Sequence, residues 1–418
     1  MKLSNYNIYE KENGICYIAN TITGAIIGLS ERELDSLLDG NFQDFSEDEI
    51  DSFKNMGILL PAKIDEIALM RQAYNTCKYS FEKSTITIMP TLECNFNCPY
   101  CYENRVQGHM PVSIQNETVT FIKSLIQKNN MKTIDICWYG GEPTLYKSVI
   151  QKISNDLIDF CKSKGVIYNA SIITNGYLID SETINLFHEC RIQTVQITLD
   201  GSKAVHDKRR TLSNGKGTFD VIYKNIYNLA NAGIQVSIRV NIDKSNIKEY
   251  KKVVKLFNDS PEIFVYPAAV TIESTQDNIQ RNKCFTQKSY EELYKSIYST
   301  DDAFFKDDHL PSVCNCCAEQ INSYVISPEG KLFKCLNDVC DADMAMGDVK
   351  QFRPNEKTAK YMGRDPFSES ECRECSYLPL CYGGCVDAYT KYGTHACRAV
   401  KFLYKRQCYE KIKNNKVY

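Results

Sequence analysis

The chain has 418 residues, which is enough for two or three domains with a substantial buried core. Its 50 Lys and Arg residues nearly balance its 52 Asp and Glu residues, so it lacks the basic footprint of a nucleic-acid partner. The first residues lack the apolar core of a signal peptide, and no apolar run reaches the roughly 18–20 residues of a membrane span. We therefore expect a cytoplasmic protein that binds neither nucleic acid nor a membrane.

Residues 1–80 predict a small α+β domain of winged-helix-like character. Three short β-prone runs are separated by glycines and followed by two amphipathic helices. A capping box precedes each helix: the side chain of a Ser and that of a Glu three residues later each accept a hydrogen bond from the other residue's backbone N–H. The two pairs are Ser30 with Glu33 and Ser46 with Glu49. A structural N-terminal extension is the alternative interpretation.

From Thr85 to about Val270, strands alternate with amphipathic helices, which predicts βα units and a parallel sheet. Ligands bind at the carboxyl ends of the strands in such sheets, so the residues that follow each strand are candidates for chemistry. The predicted strands are Thr85–Met89, Ile134–Trp138, Ala170–Ile173, Thr194–Leu199, Gln235–Val240 and Ile263–Tyr266.

Three cysteines follow the first predicted strand in a C-x3-C-x2-C spacing: Cys94, Cys98 and Cys101. Three thiolates this close can cap three corners of a cubane iron–sulfur cluster and leave one iron without a protein ligand. A structural zinc site needs four ligands, and no local fourth Cys or His completes that set. An open iron can bind a small molecule.

The next three strands also end in polar motifs. Gly-Gly-Glu-Pro follows the second, and its glycines let backbone approach a ligand while the Glu adds an acceptor. Downstream of the fourth strand, we expect His206 to be a packed loop residue, and Lys208 and Arg209 to be solvated charges. The strand-end candidates are Gly140, Gly141, Glu142, Pro143, Thr174, Asn175, Thr198 and Asp200.

Eleven of the 20 cysteines lie from Cys314 onward. Cytosolic thiols stay reduced, so such a concentration suggests metal ligation rather than disulfides. The spacing is Cys317-x12-Gly330-x4-Cys335, then C-x2-C-x5-C-x3-C with one further cysteine: Cys372, Cys375, Cys381, Cys385 and Cys397. Gly330 is predicted to close a hairpin turn that begins at Ser327.

The triplet, with Tyr100 before its last cysteine, resembles the signature of the radical S-adenosylmethionine (SAM) enzymes. The distal spacing resembles the cysteine-rich SPASM extension of that family, and residues 1–80 resemble the leader-recognition domain of its peptide maturases. The resemblance implies an α/β fold: a partial (β/α)6 TIM barrel at 81–285, preceded by the winged-helix-like domain. Residues 286–418 would form a bridging helix and the SPASM domain.

The resemblance also implies three [4Fe-4S] clusters and SAM as cofactors. In the family, the open iron of the triplet cluster chelates SAM, which the reduced cluster cleaves to a 5′-deoxyadenosyl radical. Tyr100 would lie beside the adenine, Thr198 would contact the ribose, and Arg210 would bind the carboxylate. The implied cofactor-binding residues are Tyr100, Gly140, Gly141, Glu142, Pro143, Thr174, Asn175, Thr198, Asp200, Arg210 and Arg239.

Two auxiliary clusters are implied by the SPASM resemblance. The outer cluster would be held by four cysteines: Cys372, Cys375, Cys381 and Cys397. The inner cluster would be held by Cys317, Cys335 and Cys385, and its fourth position stays open between Cys314, Cys316 and substrate. Cys340 is a further alternative ligand.

The predicted function is that of a maturase acting on a ribosomally made precursor peptide bound through its leader. A reductant protein such as flavodoxin or ferredoxin would supply electrons. Cys thioether formation is favoured, with carbon–carbon or carbon–oxygen cross-linking as a rival. An anaerobic sulfatase-maturing enzyme is disfavoured because Leu336 stands where that branch has an Asp. A non-catalytic iron–sulfur carrier or scaffold is the alternative outside enzymes.

Overall fold

The computed structural model describes residues 1–12, 14–271, 283–286, 293, 297, 316–339, 341–352, 354–393 and 400–414. The chain divides into two compact units. The terminal unit comprises Met1–Lys78, Tyr294–Cys316 and Gly363–Tyr418, and the barrel unit comprises Tyr79–Leu293 and Cys317–Met362. Within the described part, no helix is long and apolar enough to span a membrane.

The N-terminal segment of the terminal unit is a small α+β structure. Strands β2, β3 and β4 form an antiparallel sheet in that order, while β1 pairs with β5. The two predicted capping boxes are confirmed. The side chains of Ser30 and Ser46 each accept from the backbone N–H of the Glu three residues later, and that Glu's carboxylate accepts from the backbone N–H of the Ser. The elements are β1 Lys2–Leu3, β2 Asn7–Glu12, β3 Ile15–Asn20, β4 Ile26–Leu29, α1 Glu31–Leu38, α2 Glu47–Asn55, β5 Leu59–Leu60 and α3 Glu66–Lys78.

Both faces of this three-stranded sheet are covered. Helices α1 and α2 cover one face through a core that includes Ile18, Leu34 and Phe53. The final helix of the chain covers the other, where Tyr404 and Cys408 pack with strand residues. The C-terminal elements of the unit are α11 Ser370–Arg373, α12 Leu378–Cys381, α13 Val386–Tyr392 and α14 Val400–Lys413.

The barrel unit is built on a sheet of eight strands among the described residues, in the order β11-β10-β9-β8-β7-β6-β12-β13. All six predicted strands are present, and each is parallel to its neighbour in the sheet. The strands are β6 Lys83–Ile88, β7 Thr133–Trp138, β8 Ile167–Thr174, β9 Ile192–Thr198, β10 Gln235–Ile242 and β11 Ile263–Ala269. The α/β fold class is therefore confirmed.

Helices connect these strands, because parallel neighbours need a crossover connection. Their elements are α4 Val112–Asn129, α5 Lys147–Lys164, α6 Ser181–Glu189, α7 Lys203–Arg209, α8 Phe219–Asn231 and α9 Glu249–Leu256. Helix α7 was not predicted. Side chains alternate along the strands: in β10, Ile238 and Val240 are fully buried, whereas Arg239 and Asn241 are half-buried on the opposite face.

The predicted hairpin at Ser327–Gly330 is confirmed and extends the main sheet. Strands β12 (Tyr324–Ile326) and β13 (Leu332–Phe333) are antiparallel, and Gly330 lies in the turn at φ +81°. Strand β12 pairs in parallel with β6, the strand that leads into the cysteine triplet. A last helix of this unit, α10, spans Glu356–Met362. The domain boundaries predicted from the sequence stay a prediction.

Candidate cluster and cofactor site

The cysteine triplet lies in the loop that follows β6. Cys94, Cys98 and Cys101 are half-buried and form no disulfide. Burial raises the pKa of Cys94 to about 12 and that of Cys101 to about 11. Among the described residues, no three Cys, His, Asp or Glu side chains converge on a single metal ion. A cubane places each thiolate on a different iron, so three separate, desolvated thiols suit a cluster.

The glycine pair after β7 packs against the backbone that leads into the triplet. Gly141 donates its N–H to the Thr91 carbonyl at 3.1 Å, and Glu142 donates to the Glu93 carbonyl at 2.7 Å. A Cβ on Gly141 would lie 2.2 Å from the Glu93 oxygen, and one on Gly140 would lie 2.3 Å from the Thr91 oxygen. These glycines therefore allow the backbone after β7 to approach the backbone just before Cys94 closely.

The Glu142 carboxylate joins the ends of β7 and β8. It is fully buried and accepts four hydrogen bonds: from Thr144 N (3.0 Å) and Oγ1 (2.6 Å), Thr174 Oγ1 (2.7 Å) and Asn175 N (2.7 Å). Burial raises the pKa of Glu142, and these hydrogen bonds oppose the rise. Three of these bonds go to Oε1 and one to Oε2, so Oε2 keeps a lone pair that can accept from a ligand.

Two further segments hold the triplet loop. Asn175 Nδ2 donates to Asn95 Oδ1 at 2.7 Å, from the end of β8. Asn97 N–H donates to the Thr211 carbonyl at 2.8 Å, and Ser213 N–H donates to the Asn95 carbonyl at 3.1 Å. The predicted strand ends are therefore brought together around the cysteines.

Arg210 and Tyr100 meet beside the loop. Arg210 Nη1 donates to the Tyr100 hydroxyl at 2.8 Å, and the guanidinium lies 5.5 Å from the centre of the Phe96 ring. Asn241 Nδ2 also donates to that hydroxyl at 3.4 Å. The Arg210 Nε–H is buried without an acceptor in the described chain. An unsatisfied buried donor is costly, so this group suits an acceptor on a bound ligand.

The interpretation of Arg209 as a solvated charge is wrong. Its Nε donates to Asp200 Oδ2 at 3.0 Å and its Nη1 to Asp243 Oδ2 at 2.6 Å, in a buried ion-pair network at the ends of β9 and β10. Sequence reasoning missed this because a basic run after a strand looks exposed. Thr198 is also buried, at the end of β9 opposite Arg239 on β10.

His206 is a packing residue, as predicted, but it lies on α7 rather than in a loop. Its ring is fully buried, Nδ1 accepts from the Asp200 N–H at 3.3 Å, and Nε2 lies 3.1 Å from Thr218 Oγ1. The Thr218 hydroxyl in turn donates to the Arg210 carbonyl. Burial, together with nearby Arg210 and Arg209, holds the pKa of His206 well below its usual value. The imidazole is therefore neutral.

A polar cluster that the sequence did not reveal lies at the carboxyl ends of the strands. The hydroxyls of Tyr102 and Tyr139 are 2.5 Å apart, and the nearby Glu103 carboxyl adds to the burial that raises the pKa of both tyrosines. Glu103 is buried, and burial raises its pKa to about 7. Arg239 is the neighbouring positive charge that opposes the burial-raised pKa of both tyrosines. The position of Tyr139, directly after β7, is the signal that identifies such a residue.

The distal cysteines fall in both units. Cys317 and Cys335 belong to the barrel unit, and Cys316 to the terminal unit. Predicted ligands Cys314 and Cys397, and the alternative Cys340, lie outside the described residues. The terminal unit holds the C-x2-C-x5-C-x3-C run on and between α11, α12 and α13: Cys372, Cys375, Cys381 and Cys385.

Arg364 organises the loop between the last two of these cysteines. Its side chain is fully buried, and Nη2 and Nη1 donate to the carbonyls of Gly383 and Gly384. Tyr382, Gly383 and Gly384 all have positive φ, at +44°, +81° and +82°. This is a turn that favours glycine, wrapped around one guanidinium. The Arg364 N–H donors thus hold the loop between Cys381 and Cys385, which suits a loop whose thiolates would bind a cluster.

Residues 88–257 match the family model of the radical SAM superfamily. This chain carries a radical SAM domain. It is therefore an enzyme of the class that cleaves SAM, and the prediction of a radical SAM core is confirmed. The alternative of a non-catalytic iron–sulfur carrier is thereby disfavoured.

The chain is similar to a cysteine-type anaerobic sulfatase-maturating enzyme of Clostridium novyi, with 25% identity over 70% of this chain and 84% of that protein. It is 22% identical to the radical SAM cyclopropyl synthase TigE of Paramaledivibacter caminithermalis, over 94% of this chain and 90% of the other. The crystal structure of Streptococcus suis SuiB bound to its precursor peptide SuiA covers 95% of this chain and 98% of that chain. It has a TM-score of 0.52 at 15% identity, so it supports the fold.

Proposed function

We propose that this enzyme is a peptide maturase that cross-links a ribosomally made precursor, most specifically by forming Cys thioethers. The observation that carries the proposal is the triplet loop, which the ends of β7 and β8 and the segment after α7 clamp at the carboxyl edge of a parallel sheet. The likeness of nearly the whole chain to SuiB, whose structure holds a precursor peptide, supports a peptide substrate.

The residues divide the work. Cys94, Cys98 and Cys101 would hold a [4Fe-4S] cluster, which together with bound SAM supplies a hydrogen-abstracting 5′-deoxyadenosyl radical. The Glu142 carboxylate joins the ends of β7 and β8, and Arg210 offers its buried Nε–H to the bound cofactor. The remaining task of the chain is to position one substrate C–H bond and exclude water.

The N-terminal sheet supplies a place for the precursor's leader. Within the described residues, β2 and β4 each pair only with β3, so their outer edges retain backbone donors and acceptors. An extended peptide can add to such an edge as a further strand. Because both faces of the sheet are covered, an edge is the surface that remains. Tethering by the leader would raise the effective concentration of the core peptide.

The distal cysteines would bind two auxiliary [4Fe-4S] clusters, and a flavodoxin or ferredoxin would reduce the enzyme. Support comes from the C-x2-C-x5-C-x3-C run and from the buried Arg364 that shapes its last turn. Iron and sulfide analysis after anaerobic reconstitution tests this assignment. Three clusters predict about twelve irons per chain, and four irons would contradict it.

The function is tested by anaerobic co-expression with a short, cysteine-containing open reading frame adjacent to that of the enzyme. We expect the precursor to lose two hydrogens for each cross-link, and thiol alkylation to show that the cysteine sulfur is consumed. Peptide fragmentation then separates thioethers from carbon–carbon or carbon–oxygen bonds. Co-expression with a Cys98→Ala enzyme is the matched control. A precursor whose mass is unchanged by the wild-type enzyme would contradict cross-linking.

Sulfatase maturation is the second candidate, supported by the similarity to the Clostridium novyi enzyme. Two features oppose it. Leu336 follows Cys335, and Asp338, two positions later, is fully buried and accepts from the Tyr361 hydroxyl at 2.6 Å. Incubation with a sulfatase peptide containing the Cys motif distinguishes the two, because formylglycine there would favour this second function.

A further inference from the structure

Arg209, the last residue of α7, binds oxygens at the ends of two neighbouring strands. Its Nε donates to Asp200 Oδ2 after β9, at 3.0 Å, and its Nη1 donates to Asp243 Oδ2 after β10, at 2.6 Å. Its Nη2 donates to the Asn241 carbonyl at 3.4 Å. The Arg209 side chain is 12% exposed, and both carboxylates are buried. Each of the three guanidinium nitrogens thus already donates within the protein.

Asn246 joins the same two strand ends. Its side chain is buried, and its Nδ2 donates to the carbonyls of Asp200 and Asn241, at 2.8 and 3.0 Å. The Asp243 N–H donates to Asn246 Oδ1 at 2.8 Å. Polar groups that bond one another in a low-dielectric setting hold one arrangement. The position of the Arg209 guanidinium is therefore set by the fold rather than by the rotamer freedom of a surface side chain.

The fixed guanidinium lies against an aromatic ring of the triplet loop. Its central carbon is 5.0 Å from the centre of the Tyr100 ring, and a cation at that distance is attracted to the ring, most strongly where water is excluded. The hydroxyl of the same tyrosine accepts from Arg210 Nη1 at 2.8 Å and from Asn241 Nδ2 at 3.4 Å. Two consecutive arginines therefore hold Tyr100, one at the ring and one at the hydroxyl.

Tyr100 occupies a special place in the triplet loop. Only Pro99 and Tyr100 lie between Cys98 and Cys101, and a proline has neither a backbone N–H nor a polar side-chain atom. The end of β8 holds the loop ahead of Cys98, at Asn95. The Tyr100 side chain is therefore what ties the segment between the second and third cysteines to the ends of β9 and β10.

We propose that Arg209 is a positioning residue for SAM binding, which acts through Tyr100 and does not itself contact the cofactor. By holding the Tyr100 ring, Arg209 fixes the loop segment between Cys98 and Cys101. It also fixes Arg210, which is bonded to the same tyrosine and keeps the buried Nε–H that suits the cofactor. SAM binding belongs to the radical SAM class, so this inference holds whichever substrate the enzyme modifies.

The alternative is that Arg209 only balances the charges of Asp200 and Asp243. A lysine would also supply a cation there, but an ammonium cannot reproduce the planar fork that reaches two carboxylates and a carbonyl while it lies against a ring. Arg209→Lys therefore separates the two roles. Charge balance alone predicts that lysine restores SAM binding, and positioning through Tyr100 predicts that it does not.

The test titrates SAM into the reconstituted, oxidised enzyme by calorimetry, with no precursor present. Arg209→Lys should bind SAM about tenfold more weakly than the wild type. In precursor-independent formation of 5′-deoxyadenosine by the reduced enzyme, KM for SAM should rise by about the same factor, while kcat stays within about threefold. A loss of folded enzyme would instead lower kcat and leave KM unchanged. Lys208→Gln, which removes the exposed neighbouring cation of α7, is the matched control and should leave the affinity unchanged.

A second pair of variants tests the route through the tyrosine. In a Tyr100→Leu enzyme, adding Arg209→Lys should weaken SAM binding by less than about twofold further, because both changes remove the same contact. Additive losses would mean that Arg209 acts on SAM by another route and would overturn the proposal. Wild-type SAM affinity in Arg209→Lys, or a lower kcat at unchanged KM, would also overturn it.

Asp243→Asn gives the same test if Arg209→Lys does not fold. It keeps the volume of the side chain but removes the charge that binds Nη1, so SAM binding should weaken about threefold. Unchanged affinity in this variant would overturn the positioning role. Failure of any variant to cross-link a precursor bears on the proposed function alone, because each of these measurements uses SAM without a peptide.

Discussion

The two cysteine loops of this protein are built in opposite ways. In the barrel unit, the triplet loop is held by backbone hydrogen bonds to neighbouring strand ends, and it needs Gly140 and Gly141 to have no side chains. In the terminal unit, the distal loop depends on the presence of one side chain, because Arg364 binds the carbonyls of Gly383 and Gly384. The triplet loop is thus held by the ends of sheet strands, and the distal loop is held by a buried guanidinium.

The difference follows from what each unit offers for packing. Parallel strands end together, so neighbouring backbones can bond one another directly. The distal loop does not follow a strand and relies on side-chain packing: Leu380 packs with residues of the N-terminal sheet, and Tyr74 of α3 stacks on Tyr382 with ring centres 5.3 Å apart. Cys372 packs in the same core as Tyr6 and Tyr74, so the N-terminal segment and the distal cysteines form one structure.

The largest expected effect is that of losing a triplet thiolate. Cys98→Ala should reduce 5′-deoxyadenosine formation to background, because three protein ligands are needed to hold a cluster with one open iron. Chromatography of the reduced enzyme with SAM measures this. Cys161→Ala removes a buried cysteine of α5 and should retain activity; equal loss in both variants would contradict the assignment.

Gly141→Ala should be the most damaging substitution that leaves every cysteine in place. The new Cβ would meet the Glu93 and Leu92 carbonyls, at 2.2 and 2.5 Å, and backbone cannot move aside cheaply. We expect a loss of about 3–4 kcal/mol in unfolding free energy, at the upper end for overpacking. Gly165→Ala is the control: its φ is +68° and its Cβ meets nothing, so it should cost only about 1–2 kcal/mol. Denaturant unfolding compares them.

Arg364→Met should break the distal loop while sparing the triplet. Two buried carbonyls would lose their donors, which should cost about 3 kcal/mol and remove iron from the distal site. Arg71→Met is the control, since Arg71 is 41% exposed and pairs with Asp365 on the surface, where ion pairs contribute about 0–1 kcal/mol. Unchanged iron content in Arg364→Met would show that the loop does not need the guanidinium.

The buried His206 predicts a pH dependence of the barrel unit. Its folded pKa lies well below 6.5, so above that pH both folded and unfolded states are neutral at this site. Below pH 6.5, His206 is protonated in the unfolded chain but stays neutral in the folded chain. Stability should therefore fall as the pH decreases, by up to about 1.4 kcal/mol per pH unit. Unfolding midpoints between about pH 7.5 and pH 5.5 test this, and His206→Gln should show a shallower slope.

The smallest effect tests whether the two ends of the chain share one core. Thr21 Oγ1 bonds the carbonyls of Ser376 and Tyr6, at 2.6 and 3.0 Å. Thr21→Val should cost about 1 kcal/mol. Thr120→Val, which removes a similar bond on the exposed surface of α4, should cost less than about 0.5 kcal/mol. Equal costs would argue against a shared core.

Local signals were sufficient for the elements and for the position of the triplet. Capping boxes, alternating strands and amphipathic helices depend on neighbours in the chain, so Ser30, Ser46 and the six parallel strands were predictable. The same holds for the hairpin closed by Gly330. The rule that ligands bind at the carboxyl ends of parallel strands then placed the cysteines at a site.

Long-range contacts decided how the candidate residues are used. Glu142 was predictable as a strand-end acceptor, but only the fold shows that Thr174 and Asn175 donate to its carboxylate. Arg209 looked solvated in the sequence but lies between two aspartates, Asp200 and Asp243. Hydrogen-bond partners, burial and charge pairing depend on residues tens of positions away, and those are brought together only when the strands assemble.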